Sequence, residues 1–151
     1  MADGVTGGWP LVFTEIVSET LYQSDLYAAI DLCVYSAKYR AMGKSGTLML
    51  AGVICASHDF RFNYDRDVAA LLLPMHDNHD VDFRQFDAAV DFHRRFTPTL
   101  VHCKAGRSRS VAVAAAIAET VHGIPHEEVY RRCGSTPTPE VHQSLVRWLR
   151  R

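Results

Sequence analysis

The stretch of residues 101–110 combines residue types that could bind an anion and attack it. It reads Val-His-Cys-Lys-Ala-Gly-Arg-Ser-Arg-Ser, with Cys103 six positions before Arg109. A cysteine thiolate is a strong nucleophile, and the planar guanidinium of an arginine can hold two oxygens of a phosphate at once. Small residues between the two let backbone N–H groups converge on one anion. The spacing therefore predicts nucleophilic chemistry on a phosphorylated substrate.

The flanking segments predict a strand before this stretch and a helix after it. A short apolar run, 99–101, leads in, and a long run of small apolar residues, 111–121, leads out. The N-terminus of such a helix carries about half a positive charge, which favours a thiolate over a thiol. We therefore expect Cys103 to be ionised at neutral pH. The alternative interpretation is a buried structural cysteine beside a surface arginine.

The motif resembles the His-Cys-x5-Arg-Ser signature of the cysteine-dependent protein tyrosine phosphatase superfamily, and is most similar to its dual-specificity branch. The resemblance implies that Cys103 is the nucleophile, that Ser110 donates to its sulfur, and that His102 orients the loop. It also implies that the loop binds the phosphoryl group, through Arg109 and the backbone of Lys104, Ala105, Gly106, Arg107 and Ser108. A plain helix-start hydroxyl is the alternative for Ser110, and the two interpretations are compatible.

A general acid must protonate the leaving oxygen, and aspartates are concentrated in one loop before residue 83. Residues 74–78 read Pro-Met-His-Asp-Asn, which resembles the dual-specificity pattern Pro-x-x-Asp-Asn and implies Asp77 as the acid. Asp77 precedes Cys103 by 26 positions, which is short for the family, so Asp80 stays an alternative. Asp82 or Asp80 could instead cap the following helix.

Two other classes of protein are weighed against this interpretation. A metal-dependent phosphohydrolase could use His76, Asp77, His79 and Asp80, or the pair His58-Asp59, as ligands. Metal sites need ligands on rigid elements, whereas these lie in loops beside an independent thiolate site, so no metal and no cofactor is predicted. A non-catalytic phosphate-binding module is disfavoured because a nucleophile, an arginine, a hydroxyl and a candidate acid are all present.

Strand and helix patterns alternate along the chain. We expect one or two strands within 11–22, and further strands over 47–56, 68–73 and 99–101. We expect helices from residue 24 or 25 to about 42, over 83–96 and 111–121, over 125–134, and from 138 onward. The pattern predicts a single α/β domain whose central, largely parallel sheet of about 4–5 strands is flanked by helices. Residues 11–151 would form the dual-specificity-like catalytic domain, and 1–10 a loose N-terminus.

Composition and charge indicate which partners and which cellular compartment the protein is expected to have. The 151 residues carry a net charge of −1, so there is no overall basic field for nucleic acid or membrane. No secretory signal or membrane span is visible, and we expect a cytoplasmic protein. The spacing of Cys33, Cys55, Cys103 and Cys133 suits neither zinc nor a disulfide framework. Cys33, Cys55 and Cys133 are predicted to be core or partly buried thiols, and one of them could resolve an oxidised Cys103.

The loop and its surroundings favour one substrate class and allow a second. No segment resembles the phosphotyrosine-clamping loop of the larger tyrosine-specific enzymes, which favours a shallow pocket and a dual-specificity phosphoprotein phosphatase. The charges of Lys104 and Arg107 allow an alternative, a second anionic group on the substrate. Relatives of this kind act on phosphoinositides, phosphatidylglycerophosphate or RNA 5′-triphosphate, so a polyanionic lipid or RNA is a possible substrate.

Overall fold

The strands of the computed structural model are short, and together they form one sheet. The structure describes residues 12–33, 50–59, 63–64 and 67–151. Its strands are β1 (Phe13–Val17), β2 (Leu21–Ser24), β3 (Gly52–Cys55), β4 (Ala69–Leu72) and β5 (Thr99–His102), in the order β1-β2-β5-β3-β4. β1 and β2 pair antiparallel, and the pairings β2–β5, β5–β3 and β3–β4 are parallel. The predicted α/β fold with a largely parallel sheet is confirmed.

Helices occur at the predicted places, with some changes of boundary. They are α1 (Leu26–Cys33), α2 (Phe83–Arg95), α3 (Arg109–His122), α4 (His126–Cys133) and α5 (Pro139–Arg150). The start predicted for α3, residue 111, was wrong: the helix begins at Arg109, so the arginine and Ser110 belong to its first turn. The predicted loose segment 1–10 and the expected continuation of α1 to about 42 lie outside the described residues.

The core has two parts, one on each face of the sheet. On one face, Ile54 and Val101 pack against α3, whose residues 111–118 are all buried. On the other face, Val53 and Leu100 pack with Ala29 of α1. Alternate residues of β3 and β5 therefore point into different clusters, as expected for central strands covered on both faces.

The prediction that residues 68–73 form a buried strand was wrong in one respect. β4 pairs with β3 at the edge of the described sheet, and its residues alternate between half-buried and exposed. Leu72 is 41% exposed. A short apolar run indicates a strand but does not distinguish a central position from an edge. The strand predicted over 47–56 is observed as Gly52–Cys55, and residues 47–49 lie outside the described residues.

A buried polar contact fixes the short connection between α2 and β5. His93 of α2 lies 2.8 Å from Thr99 Oγ1 through Nδ1, and 2.9 Å from His122 Nε2 through Nε2. Burial lowers the pKa of His93 to about 4, so the ring is neutral at physiological pH. The contact joins α2, β5 and α3 at the end of the sheet opposite the Cys103 loop, and residues 96–98 suffice to connect α2 with β5.

Candidate active site

The loop 103–108 connects the carboxyl end of β5 with the N-terminus of α3. β5 is a central strand, and all four of its residues are buried. The carboxyl ends of parallel strands are where open α/β sheets bind ligands, and a helix N-terminus favours an anion there. The fold therefore places the predicted loop at the position that an anionic substrate would occupy.

Cys103 and Ser110 lie in contact beneath this loop. Cys103 is 2% exposed, and its Sγ lies 3.2 Å from Ser110 Oγ. Ser110 is completely buried in the first turn of α3. When the sulfur is a thiolate it can only accept, so the serine hydroxyl is the donor. This arrangement would stabilise the negative charge on sulfur.

Arg109 is held by the loops that follow β3 and β4. Its Nη1 donates to Ser57 Oγ at 3.1 Å, to the Met75 carbonyl at 3.2 Å, and to Asp59 Oδ1 at 3.4 Å. The guanidinium is almost completely buried. The hydrogen bond with Ser57 is the main cause that lowers the pKa of Asp59, and its own backbone N–H and the charge of Arg109 add smaller contributions in the same direction. These contacts fix the arginine's direction before a substrate arrives.

His102 contacts the backbone of Cys103 through its ring. Its Nδ1 lies 3.3 Å from the Cys103 carbonyl, and its Nε2 lies 2.7 Å from the Tyr64 hydroxyl. Burial lowers the pKa of His102 to about 4. In the neutral ring, Nδ1–H donates to the carbonyl and Nε2 accepts from the tyrosine. The position agrees with an orienting role, and the neutral ring adds no positive charge beside the sulfur.

Of the candidate acids, Asp77 lies against the loop. Its Oδ1 accepts a hydrogen bond from Ser108 Oγ at 2.7 Å and another from Thr138 Oγ1 at 3.1 Å. Asp80 is exposed. Asp82 is the N-cap of α2, and its side chain accepts a hydrogen bond from the Arg84 N–H at 2.9 Å. The predicted capping role of Asp82 is therefore confirmed.

The underside of the loop rests on the junction of β2 and α1. Gly106 has φ of 72°, in the left-handed region, and a Cβ there would lie 2.8 Å from the Asp25 nitrogen. The Leu26 N–H donates to the Lys104 carbonyl at 3.0 Å. Any larger residue at Gly106 would push the loop away from this support. Lys104, Ala105 and Arg107 of the same loop are exposed.

Among the residues that the structure describes, the histidines and aspartates of the metal alternative do not bring three ligand atoms within 4.8 Å of one another. His58 and His76 stack with ring centroids 3.6 Å apart, and His79 lies 5.4 Å from His76. In the described part of the chain, the group of three possible ligands within 4.8 Å of one another is Glu119, His126 and Glu127. That group lies toward the other end of α3, and within it His126 already hydrogen-bonds to Glu119.

The other predicted thiols are buried to different degrees. Cys55 is 1% exposed and Cys133 is half-buried, and both are free. Burial raises the pKa of Cys55 and raises that of Cys133 to about 11, which favours unreactive thiols. The side chain of Cys33 lies outside the described residues. Every helix in the described part of the chain is too short or too polar to cross a membrane.

Comparison by sequence finds neither a matching family model nor a matching curated protein. Comparison by structure finds DUSP15, with a TM-score of 0.71 and 21% identity over 90% of this chain and 86% of that one. Human DUSP28 has a TM-score of 0.69 and 19% identity over 93% of this chain and 94% of that one. PTPMT1 in complex with PI(5)P has a TM-score of 0.69 and 20% identity over 92% of this chain and 95% of that one. The chain has the fold of the dual-specificity phosphatases.

Proposed function

We propose that this chain is a phosphomonoester hydrolase that works through a cysteinyl-phosphate intermediate. One observation carries the proposal: Cys103 begins the loop at the carboxyl end of β5, Arg109 directly follows that loop, Ser110 contacts the Cys103 sulfur, and Asp77 hydrogen-bonds to Ser108 of the loop. Each residue type corresponds to one requirement of phosphoryl transfer, namely a nucleophile, a clamp for oxygens, a donor to sulfur and an acid.

In the first step, the Cys103 thiolate attacks phosphorus while the bond to the ester oxygen breaks. Arg109 and the loop amides hold the non-bridging oxygens, and Asp77 gives a proton to the leaving oxygen. Ser108 and Thr138 both bind Asp77 through Oδ1, and we assign the transferred proton to Oδ2. The leaving group departs as a neutral alcohol or phenol.

In the second step, water attacks the phosphorus of the cysteinyl phosphate. The Asp77 carboxylate accepts a proton from that water, and the bond between sulfur and phosphorus breaks. The sulfur leaves with the bonding electrons, and the Ser110 hydroxyl 3.2 Å away donates to it as its negative charge returns. Inorganic phosphate is released, and the enzyme is again a thiolate with a protonated acid.

We expect the purified protein to hydrolyse p-nitrophenyl phosphate without an added metal. EDTA should leave the rate unchanged, whereas iodoacetate should inactivate the protein and inorganic phosphate should protect it. A rate lost with EDTA and restored by a divalent cation would support the metal alternative instead. Phosphate binding without any hydrolysis would indicate a non-catalytic module.

For the substrate, we propose phosphoproteins, with phosphotyrosine and phosphoserine or phosphothreonine residues all accepted. The proposal is supported by the fold shared with DUSP15 and DUSP28 and by the exposed, open side of the loop. A polyanionic substrate is the second candidate. It is favoured by the exposed charges of Lys104 and Arg107, and by the fold shared with PTPMT1, whose structure contains PI(5)P.

Replacing both Lys104 and Arg107 with alanine distinguishes these candidates. If they bind a second anionic group, KM for a phosphoinositide or a doubly phosphorylated peptide should rise by about tenfold or more, since a surface charge of this kind contributes about 1 kcal/mol. KM for p-nitrophenyl phosphate should hardly change. The matched control is Arg147→Ala with Arg150→Ala, which removes two exposed arginines of α5. Equal effects on both kinds of substrate would contradict a second anion site.

A further inference from the structure

A buried amide lies directly beneath the loop. Gln23 is the third residue of β2, pairs with Val101 of β5, and is completely buried. Its Nε2 lies 2.8 Å from the Gly106 carbonyl and 2.8 Å from Ser110 Oγ. It therefore contacts both the loop backbone and the hydroxyl that faces the Cys103 sulfur.

The hydrogen-bond pattern around this amide fixes the direction of the Ser110 proton. The amide nitrogen has two protons, and a carbonyl can only accept. Its two near neighbours, the Gly106 carbonyl and Ser110 Oγ, each lie 2.8 Å away, whereas the Ser24 carbonyl is at 3.5 Å, so one N–H points at Gly106 and the other at Ser110 Oγ. Turning the amide over would bring its oxygen against the Gly106 carbonyl, which is unfavourable. Because Ser110 Oγ accepts from Gln23, its own proton is directed to its other polar neighbour, the sulfur 3.2 Å away.

This arrangement has a cost that a purely structural residue would avoid. Gln23 Oε1 is buried without a hydrogen-bond partner in the described part of the chain. Buried polar atoms are nearly always paired, and an apolar residue would fill the same position between β1 and β5 without leaving an acceptor unpaired. The unpaired oxygen indicates that the position is used for its N–H donors.

We propose that Gln23 is a positioning residue that directs the Ser110 hydroxyl at the Cys103 sulfur and thereby stabilises the thiolate. The proposal rests on the proposed function, in which that sulfur is nucleophile and then leaving group. Loss of the amide weakens donation to sulfur in both the free enzyme and the second step. Substrate binding is unaffected, because Arg109 and the loop amides hold the phosphate.

The loop has other support, so removing the amide leaves it in place. Lys104 and Gly106 rest on the β2–α1 junction through the Leu26 N–H and through close packing against Asp25. Gln23→Met keeps the length of the side chain and removes both donors. We expect kcat for p-nitrophenyl phosphate to fall by about tenfold or more, the size of a hydrogen bond to a charged group, with KM unchanged. If methionine does not fit this buried position, Gln23→Leu is the second variant, and it also removes both donors.

The decisive readout is the rate of Cys103 alkylation by iodoacetamide as a function of pH. In Gln23→Met the midpoint of this profile should move to higher pH, whereas in Leu21→Met, a buried control on the same strand, it should stay in place. In a Ser110→Ala background, Gln23→Met should have little further effect on either the profile or kcat. Additive effects of the two substitutions, or an unchanged profile in a folded Gln23 variant, would overturn the proposal.

This readout separates the two proposals. Alkylation of Cys103 requires no turnover, so it reports on Gln23 whether or not the chain hydrolyses phosphate esters. A shifted profile in a protein without hydrolase activity would contradict the proposed function and support the role of Gln23. Hydrolase activity together with a kcat and an alkylation profile that Gln23→Met leaves unchanged would support the proposed function and contradict the role of Gln23.

Discussion

Replacing Cys103 with serine is expected to abolish hydrolysis of phosphate esters and to leave their binding intact. A serine hydroxyl stays protonated where a thiol ionises, so the nucleophile is lost while Arg109 and the loop still hold the phosphate. We expect kcat for p-nitrophenyl phosphate to fall by a factor on the order of 10⁶, the loss seen when other covalent hydrolases lose their nucleophile. Binding of a phosphopeptide, measured by calorimetry, should persist.

The matched control is Cys133→Ser, which changes a half-buried free thiol of α4. This variant should keep its activity and its inactivation by iodoacetate, because Cys103 is still present. Hydrolysis well above background in Cys103→Ser would show that another group attacks phosphorus.

Replacing Asp77 with asparagine should slow the reaction in proportion to how poor the leaving group is. Proton donation by a positioned side chain is worth on the order of 10²–10⁴-fold. We therefore expect a loss of that size for phosphoserine or another alkyl phosphate, and a much smaller loss for an activated aryl phosphate. The fall of kcat at high pH should disappear, because that fall reports loss of the donated proton. The measurement is kcat against pH on one substrate of each kind.

Asp80→Asn and Asp82→Asn are the controls for this experiment. Asp80 is exposed, so Asp80→Asn should change little. Asp82 caps α2, and complete loss of an N-cap costs about 0.5–2 kcal/mol. Because asparagine is also a good N-cap, Asp82→Asn should lower the free energy of unfolding by no more than that. Both should keep the fall of kcat at high pH. If Asp80→Asn removes that fall and Asp77→Asn keeps it, Asp80 is the acid.

The parts of the site that are local in sequence could be predicted from it. Cys103, the loop and Arg109 lie within one strand–loop–helix unit, and the spacing of residue types determines which of them meet. The order of strands and helices likewise predicts an α/β fold, because the length and periodicity of each segment together are typical of one element type. The start of α3 was less certain, since nothing in the sequence marks whether Arg109 belongs to the loop or to the helix.

The supporting contacts come from distant parts of the chain and could not be predicted in the same way. Ser57 and Asp59 follow β3, and Asp59 reaches Arg109 although its sequence neighbourhood suggested a metal ligand instead. Thr138 contacts Asp77 from the residue before α5, and this contact, together with Ser108, ties Asp77 to the loop, whereas Asp80 is exposed. Gln23 lies just beyond the strands predicted within 11–22, so the sequence indicated neither its place in β2 nor its partners.

The central claim is that phosphate is transferred to Cys103 and then to water. The most direct test is to stop the reaction with an aryl phosphate in denaturant during turnover and to map the phosphoryl group by mass spectrometry of the peptides. We predict a phosphoryl group on the peptide that contains Cys103, absent from Cys103→Ser and removed when the substrate is exhausted. Turnover with no phosphoryl group on Cys103, or with phosphate on a histidine instead, would contradict the cysteinyl-phosphate mechanism.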